Sequence, residues 1–238
     1  MRHSAHSRNQ LSGEEPMTIT LDQLNKLSKC ETASWAVWSP EFNKRGCMEG
    51  NRQSILPYIA SRVGELKNNV ILLGLNRSFN ARKHAHLAST GFPPFANFHS
   101  ESHAGDGFLK TTVSEFQNLR GAYMTDLCLD QESNSTKVRI VKSVAIRKLD
   151  DQLKILAARR FHVVCFGHAV FNALSNHSQP TQEIIHDGMA IKEVELTANS
   201  KLSCYRMIHY SYAVRYNHKV RFREQMKHVN DLIGSAYE

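Results

Sequence analysis

Residues 68–75 read NNVILLGL, a short apolar and β-branched run that follows a polar turn. This pattern predicts a strand over residues 69–75 that is buried on both faces, which is typical of a parallel sheet. Two similar runs follow at residues 121–127 and 161–167, and helical patterns separate them. Alternating strands and helices predict an α/β fold, a three-layer α/β/α sandwich with a mainly parallel central sheet.

The rest of the chain supplies helical periodicity and two more strand patterns. We predict helices over residues 21–28, 52–66, 108–119, 138–158, 168–175 and 216–233, and further strands over residues 190–196 and 202–208. The first 16 residues are polar and rich in His, Ser and Asn. A disordered tail is therefore expected over residues 1–19, and a single domain over residues 20–238.

Composition limits the class of partner. The 238 residues include 30 Lys and Arg against 22 Asp and Glu, a formal net charge of +8. Such a surface attracts polyanions and favours DNA as the partner, although excess Lys can also serve solubility alone. The five cysteines are widely spaced, without a C-x-x-C pair, which indicates reduced thiols and no metal site. No apolar run is long enough to span a membrane. We expect a cytoplasmic monomer without a cofactor.

Polar residues follow three of the predicted strands. In open α/β sheets, ligands bind outside the carboxyl ends of the strands, so these ends are where chemistry is expected. They read GLNRS at residues 74–78, TD at residues 125–126 and HYS at residues 209–211. The sequence thus predicts one site built from these three strand ends.

With these motifs the chain resembles the uracil-DNA glycosylase superfamily, nearest to its mismatch-specific and single-strand-selective branches. The family's Gly-x-Asn-Pro-Gly motif is matched by residues 74–78, and its His-Pro-Ser motif by residues 209–211. Its Gly-Phe-Pro-Phe-Ala segment is matched by GFPPFA at residues 91–96, one residue longer. The order of motifs holds over residues 68–232. The resemblance implies a uracil-DNA glycosylase-like fold and an enzyme that flips a base out of DNA and hydrolyses its N-glycosidic bond.

The resemblance also assigns roles to individual residues. Asn76 matches the residue whose amide orients the attacking water, and His209 matches the one that hydrogen-bonds the pyrimidine O2 as the base departs. Phe95 matches the aromatic residue on which the flipped base stacks. Leu75 lies beside Asn76 in the first motif and is expected at the base pocket. Because no Lys occupies a motif position, we expect a monofunctional glycosylase that leaves an abasic site.

A loop after the second motif is implied to grip DNA. The residues expected to contact DNA are Ser211, Tyr212, Arg215, Lys219 and Arg77. The family's apolar wedge position falls on Ala213, which is too small to fill the gap left by a flipped base. Tyr212 or Val214 is expected to serve instead.

Two departures from the family's pattern bear on the substrate. Asp126 stands where uracil-specific members have an Asn that donates to O4, and a carboxylate can instead accept from the N4 amine of cytosine. Ser78 stands where the most uracil-specific branch has a Tyr that blocks the 5-position. Together they favour a cytosine with a 5-substituent, such as the hydroxymethylated or glucosylated cytosines of some phages, and a role in defence against phage DNA.

Alternatives remain open from the sequence. Asp126 can point elsewhere, in which case backbone groups would read the base and the enzyme would act on uracil or thymine mispairs. Arg77 and Tyr210 replace motif prolines that set loop shape. A catalytically silent module that binds damaged DNA is therefore the alternative from another class. A nucleotide-binding protein is not supported, since neither a G-x-G-x-x-G fingerprint nor a P-loop is present.

Overall fold

The computed structural model describes residues 18–39, 55–76, 93–99, 104–129, 137–176, 183–186, 189–197 and 200–236. The helices within these ranges are α1 (Leu21–Leu27), α2 (Leu56–Ala60), α3 (Ala104–Glu115), α4 (Lys142–Leu156), α5 (His168–Ser175), α6 (Tyr210–Arg215) and α7 (Lys219–Ser235). The strands are β1 (Ser34–Trp35), β2 (Lys67–Asn76), β3 (Ala122–Cys128), β4 (Arg160–Phe166), β5 (Ile184–His186), β6 (Met189–Thr197) and β7 (Ser200–Met207).

The strands form one sheet in the order β1-β3-β2-β4-β7-β6-β5. The four central strands β3, β2, β4 and β7 are parallel, whereas β1, β6 and β5 join antiparallel at the edges. The prediction of an α/β fold with a mainly parallel centre is confirmed. All four central strands point their carboxyl ends to the same edge, which places the three polar strand ends together.

Helices cover both faces of the sheet. One apolar core lies between the sheet and α1, α2, α4 and α5, and includes Ile71, Leu73, Tyr123 and Val163. A second core lies between the sheet and α3, α6 and α7, and includes Leu72, Met124 and Val164. Successive residues of a strand point to opposite faces, so a run such as residues 70–73 must be apolar throughout. The core on the side of α1, α2, α4 and α5 is the first core, and the core on the side of α3, α6 and α7 is the second core.

Element boundaries differ from the predictions where local geometry overrides the pattern. The predicted terminal helix 216–233 is observed as α7, which begins only at Lys219, because Asn217 before it adopts a left-handed φ of 58° that no helix accommodates. The short helix α6, which precedes it, was not predicted. The predicted helix 52–66 contains α2 and the 3-10 helix Val63–Glu65 within the described part. The two-residue β1 and three-residue β5 were not predicted, since strands this short carry no periodicity.

The fold begins before the expected boundary at residue 20. Thr18 forms an antiparallel bridge with Lys67, and the side chain of Ile19 is buried in the first core. These two residues therefore belong to the domain rather than to a tail, and the remainder of the predicted tail, residues 1–17, lies outside the described residues. No helix in the described part of the chain is both long and apolar enough to cross a membrane.

Candidate active site

The ends of β2 and β3 bring Gly74, Asn76 and Asp126 to one edge of the sheet. The parallel register pairs Gly74 with Asp126 and Asn76 with Cys128. Alternation along β2 directs Leu73 and Leu75 into the first core and leaves Gly74 and Asn76 on the other face. The side chain of Leu75 therefore packs in the first core, and its expected place at a base pocket stays a prediction.

The Asp126 carboxylate lies over Gly74. A Cβ placed on Gly74 would meet Asp126 Oδ1 at 2.1 Å and the Cζ atom of Phe98 at 3.3 Å. Only glycine at this position leaves room for the carboxylate. Asp126 is 6 % exposed, and its Oδ2 accepts a hydrogen bond from Asn97 Nδ2 at 2.8 Å. A buried carboxylate is thus held in a defined orientation at the polar edge of the sheet.

Hydrogen bonds hold residues 93–99 against β1 and the residues that precede it. The hydroxyl of Ser34 donates to the backbone oxygen of Phe95 at 2.8 Å, and Asn97 Nδ2 donates to the backbone oxygen of Thr32 at 2.9 Å. Phe95 and Phe98 have φ values of 62° and 63°, in the left-handed region that non-glycine residues rarely adopt. Backbone strain of this kind persists only where the surroundings impose it, and it is common at binding sites.

The two phenylalanines of this segment face different cores. Phe95 belongs to the first core, on the face of the sheet opposite to Gly74. Phe98 belongs to the second core and approaches Gly74. The stacking role expected of Phe95 stays a prediction, and the aromatic side chain that the structure places beside Gly74 and Asp126 is that of Phe98. The segment at residues 91–96 is one residue longer than the motif it resembles, so motif spacing alone does not decide between neighbouring phenylalanines.

His209 follows β7 and caps the start of α6. Its Nδ1 atom accepts a hydrogen bond from the backbone N–H of Ser211 at 3.1 Å. Although part of its surface reaches solvent, the surrounding protein excludes most water from the ring, and this burial lowers its pKa to about 4. At neutral pH the imidazole is neutral. Since Nδ1 is the acceptor, the proton resides on Nε2.

Tyr210 packs against His209 and lies within electrostatic reach of Asp126. Its ring stacks on that of His209, with centroids 4.5 Å apart, and packs edge-on against Phe166 at 5.3 Å. The pKa of the Tyr210 hydroxyl is raised, by burial first, then by the negative charges of Asp106 and Asp126, and by a hydrogen bond with the Asp106 side chain. The hydroxyl is therefore within electrostatic reach of both carboxylates. Neither Tyr210 nor Asp106 was predicted as a site residue.

The spacing of the central strands sets the width of the site. Neighbouring strands lie about 4.8 Å apart, so β2 and β7, with β4 between them, are about 10 Å apart. Asn76 ends β2, and His209 follows the end of β7 by two residues. Asp126 lies on the opposite side of β2, in β3. The structure thus brings the three polar strand ends to one edge, as the sequence predicts.

The wedge position of the second motif is buried. Ala213 is fully buried in the second core, and Val214 is partly buried. Tyr212 is 48 % exposed, and its ring lies 4.4 Å from that of Tyr216, which is also exposed. Of the two residues proposed from sequence to replace the wedge, Tyr212 is the one that presents a large ring to solvent.

The other described residues expected to contact DNA are also exposed. Ser211 lies in the first turn of α6, Arg215 ends α6 and Lys219 begins α7, and the Lys219 ammonium lies 5.9 Å from the ring centre of Phe108. The two other predicted site residues, Arg77 and Ser78, lie outside the described residues. In the part of the chain that is described, no group of three or more His, Cys, Asp or Glu side chains could hold a metal ion.

Comparison with family models and with curated proteins found no match for this chain. The residues assembled at the sheet edge are therefore the basis for any functional assignment. They offer a neutral imidazole donor, an amide and an oriented carboxylate within one polar edge. This set can hydrogen-bond a planar heterocycle and position a water molecule, and it contains no nucleophile of the Ser-His or Cys-His type among the residues that the predictions and the structure bring together.

Proposed function

We propose that the protein is a monofunctional DNA glycosylase with a uracil-DNA glycosylase-like fold, which excises a modified pyrimidine from DNA. The observation that carries the proposal is that Asn76, Asp126 and His209 lie at or near the carboxyl ends of β2, β3 and β7, on one edge of the sheet. They come from sequence positions far apart, and the motif resemblance relates each of them to a role in base excision. The net charge of +8 supports a polyanionic substrate.

In this proposal His209 stabilises the leaving base. When the bond between N1 and the anomeric carbon breaks, its electron pair passes to the base, and negative charge develops on O2. A neutral imidazole that carries its proton on Nε2 donates a hydrogen bond to that oxygen without first having to lose a charge. The hydrogen bond from Ser211 and the lowered pKa of His209 both favour this form.

In this proposal Asn76 orients the water molecule that acts as the nucleophile. Its amide has both a donor and an acceptor, as required to orient a water molecule below the anomeric carbon. Water adds its oxygen to the oxocarbenium-like sugar, and a proton is finally taken up by the departing base. The products are the free base and an abasic site, and the step needs no cofactor.

The base itself is read by Asp126 and stacked by Phe98. We assign the stacking role to Phe98 because its ring lies beside Gly74 on the face that carries Asp126. A carboxylate accepts hydrogen bonds and matches the N4 amine of cytosine better than the O4 of uracil. A 5-substituted cytosine, including the hydroxymethylated or glucosylated bases of phage DNA, is the substrate class we favour, and defence against phage is the corresponding role.

The direct test is mass spectrometry of bases released from a panel of DNAs that contain uracil, thymine mispairs, 5-hydroxymethylcytosine or glucosylated cytosine. We expect release of a cytosine derivative. In the Asn76→Ala variant the rate should fall by a factor on the order of 10²–10³, the effect of removing one oriented polar group. Parental rates in this variant would refute the assignment of Asn76. Binding to the panel without release of any base would favour a DNA-binding module.

A further inference from the structure

Asn97 holds the Asp126 carboxylate, and no motif in the sequence marks it. Its amide nitrogen donates to Asp126 Oδ2 at 2.8 Å and to the backbone oxygen of Thr32 at 2.9 Å. Both protons of the nitrogen are thereby used in buried hydrogen bonds, and Asn97 is only 6 % exposed. The side chain of Asn97 is therefore locked, and it can present nothing but a donor to Asp126.

We propose that Asn97 is a positioning residue that fixes Asp126 to accept an N–H group from the bound base, so that the site selects 4-aminopyrimidines over 4-oxopyrimidines. The inference rests on the proposed function, because it names the class of base that this site reads. Asn97 does not itself have to touch the base. It acts through the orientation and the ionic form of Asp126.

The orientation follows from contacts on both carboxylate oxygens. Oδ2 is turned toward Asn97, which leaves Oδ1 on the side of Gly74, where it occupies the space that a Cβ would need. Phe98 approaches the same space. A base stacked on Phe98 would thus have its edge toward Oδ1.

The ionic form follows from the chemistry of Asn97. An N–H donated to a carboxylate stabilises the ionised form, and an ionised carboxylate only accepts hydrogen bonds. Loss of the Asn97 donor would remove the contact that turns Oδ2 away from Gly74, so the carboxylate would no longer be held to accept an N–H group from the base.

The test compares two bases that differ only at the 4-position. Oligonucleotides carrying one 5-hydroxymethylcytosine or one 5-hydroxymethyluracil are treated with parental protein and with Asn97→Leu, and the ratio of kcat/KM for the amino base to that for the oxo base is measured. We expect this ratio to fall about tenfold in Asn97→Leu, the value of one buried hydrogen bond to a charged group. An unchanged ratio would overturn the inference, even if the absolute rates fell.

A matched control separates positioning from stability. Tyr123→Phe removes the buried hydrogen bond of 2.7 Å from the Tyr123 hydroxyl to Gln152 Oε1, on the same strand as Asp126 but on its opposite face, in the first core. Its ratio should stay within about twofold of the parental value, although the protein loses a buried hydrogen bond. A comparable fall in ratio in Tyr123→Phe would also contradict the inference.

A second variant, Asp126→Asn, tests the inference even if Asn97→Leu does not fold. In Asp126→Asn, the donor from Asn97 should hold the new amide with its oxygen toward Asn97 and its NH₂ group toward Gly74. We expect the preference to reverse toward the oxo base. A retained preference for the amino base would count against the inference.

The same comparison distinguishes failure of the inference from failure of the proposed function. Binding is measured to oligonucleotides whose modified nucleotide carries a 2′-fluoroarabinose that resists cleavage. If the parental protein excises neither base but binds the amino analogue in preference, and Asn97→Leu loses that preference, the inference stands and the proposed reaction falls. If the parental protein shows neither excision nor preference, both fall.

Discussion

The Nδ1 atom of His209 accepts the backbone N–H of Ser211, and this hydrogen bond decides which proton the imidazole can offer to a ligand. Protonation of Nδ1 would break the bond, and burial already disfavours the charged ring. Tyr210, which stands where the resembled His-Pro-Ser motif has Pro, stacks on the imidazole.

The pH dependence of excision should reflect the neutral form of His209. Its pKa of about 4 in the folded protein lies below the ordinary value of about 6.5, so the ring stays neutral as the pH falls through 6. Excision should therefore not decline near pH 6.5 on account of this residue, and should be lost as the pH approaches 4. Nitrogen-15 NMR of the His209 ring is the measurement. A titration of His209 near the ordinary value of about 6.5 would contradict the assignment.

Replacement of Gly74 by Ala should displace the Asp126 carboxylate. The added Cβ would stand 2.1 Å from Asp126 Oδ1, well inside contact distance. We expect excision to fall by at least about tenfold and the free energy of unfolding to fall by about 1–3 kcal/mol, the usual cost of overpacking. Denaturant unfolding and base-release rates measure the two effects.

Gly64→Ala is the control for this substitution. A Cβ on Gly64 meets no atom within 4 Å, so its free energy of unfolding should stay within about 0.5 kcal/mol of the parental value and its rate should be unchanged. If Gly74→Ala behaved like Gly64→Ala, the placement of the carboxylate over β2 would be wrong.

The central sheet was predictable because its information is local. Strands buried on both faces must be apolar at every position, and the stretch containing residues 70–73 shows this directly. The edge strand Ser34–Trp35 was not predictable, since two residues carry no pattern, and the break between α6 and α7 depends on the left-handed conformation of Asn217. Those features are set by tertiary contacts rather than by neighbours in sequence.

The candidate site was predictable at the strand ends and not between them. Asn76 ends β2, Asp126 lies near the end of β3 and His209 follows β7, and the topology of parallel sheets brings such ends to one edge. Phe98 and Asn97 lie in a connecting segment whose conformation depends on hydrogen bonds to residues more than sixty positions away, such as the bond from Ser34 to Phe95. No local rule determines which of two phenylalanines faces the site.

Substitution of the two phenylalanines should separate stacking from packing. Phe98→Leu should weaken binding of DNA with the modified base and reduce excision by about tenfold or more, because base–aromatic stacking contributes about 1–3 kcal/mol. Phe95→Leu should mainly lower the free energy of unfolding, since its ring fills the first core. Excision is measured at a temperature at which both variants are folded by circular dichroism. A larger loss of excision in Phe95→Leu would restore Phe95 as the stacking residue.

Tyr212 should act on the DNA duplex and not on the chemical step. Its ring is 48 % exposed three residues after His209, whereas Ala213 at the wedge position of the motif is fully buried. An inserted side chain fills the gap that a flipped nucleotide leaves in a duplex, and a single strand presents no such gap. Tyr212→Ala should therefore reduce kcat/KM by about tenfold or more on double-stranded substrate and much less on single-stranded substrate.

Val220→Ala, which shortens another exposed side chain beyond the corner of α6 and α7, is the control and should change neither rate. Equal losses on both substrates in Tyr212→Ala would instead assign the ring to general strand binding. A wedge acts only where a flipped nucleotide leaves a gap in a duplex, so its loss should not affect a single strand equally.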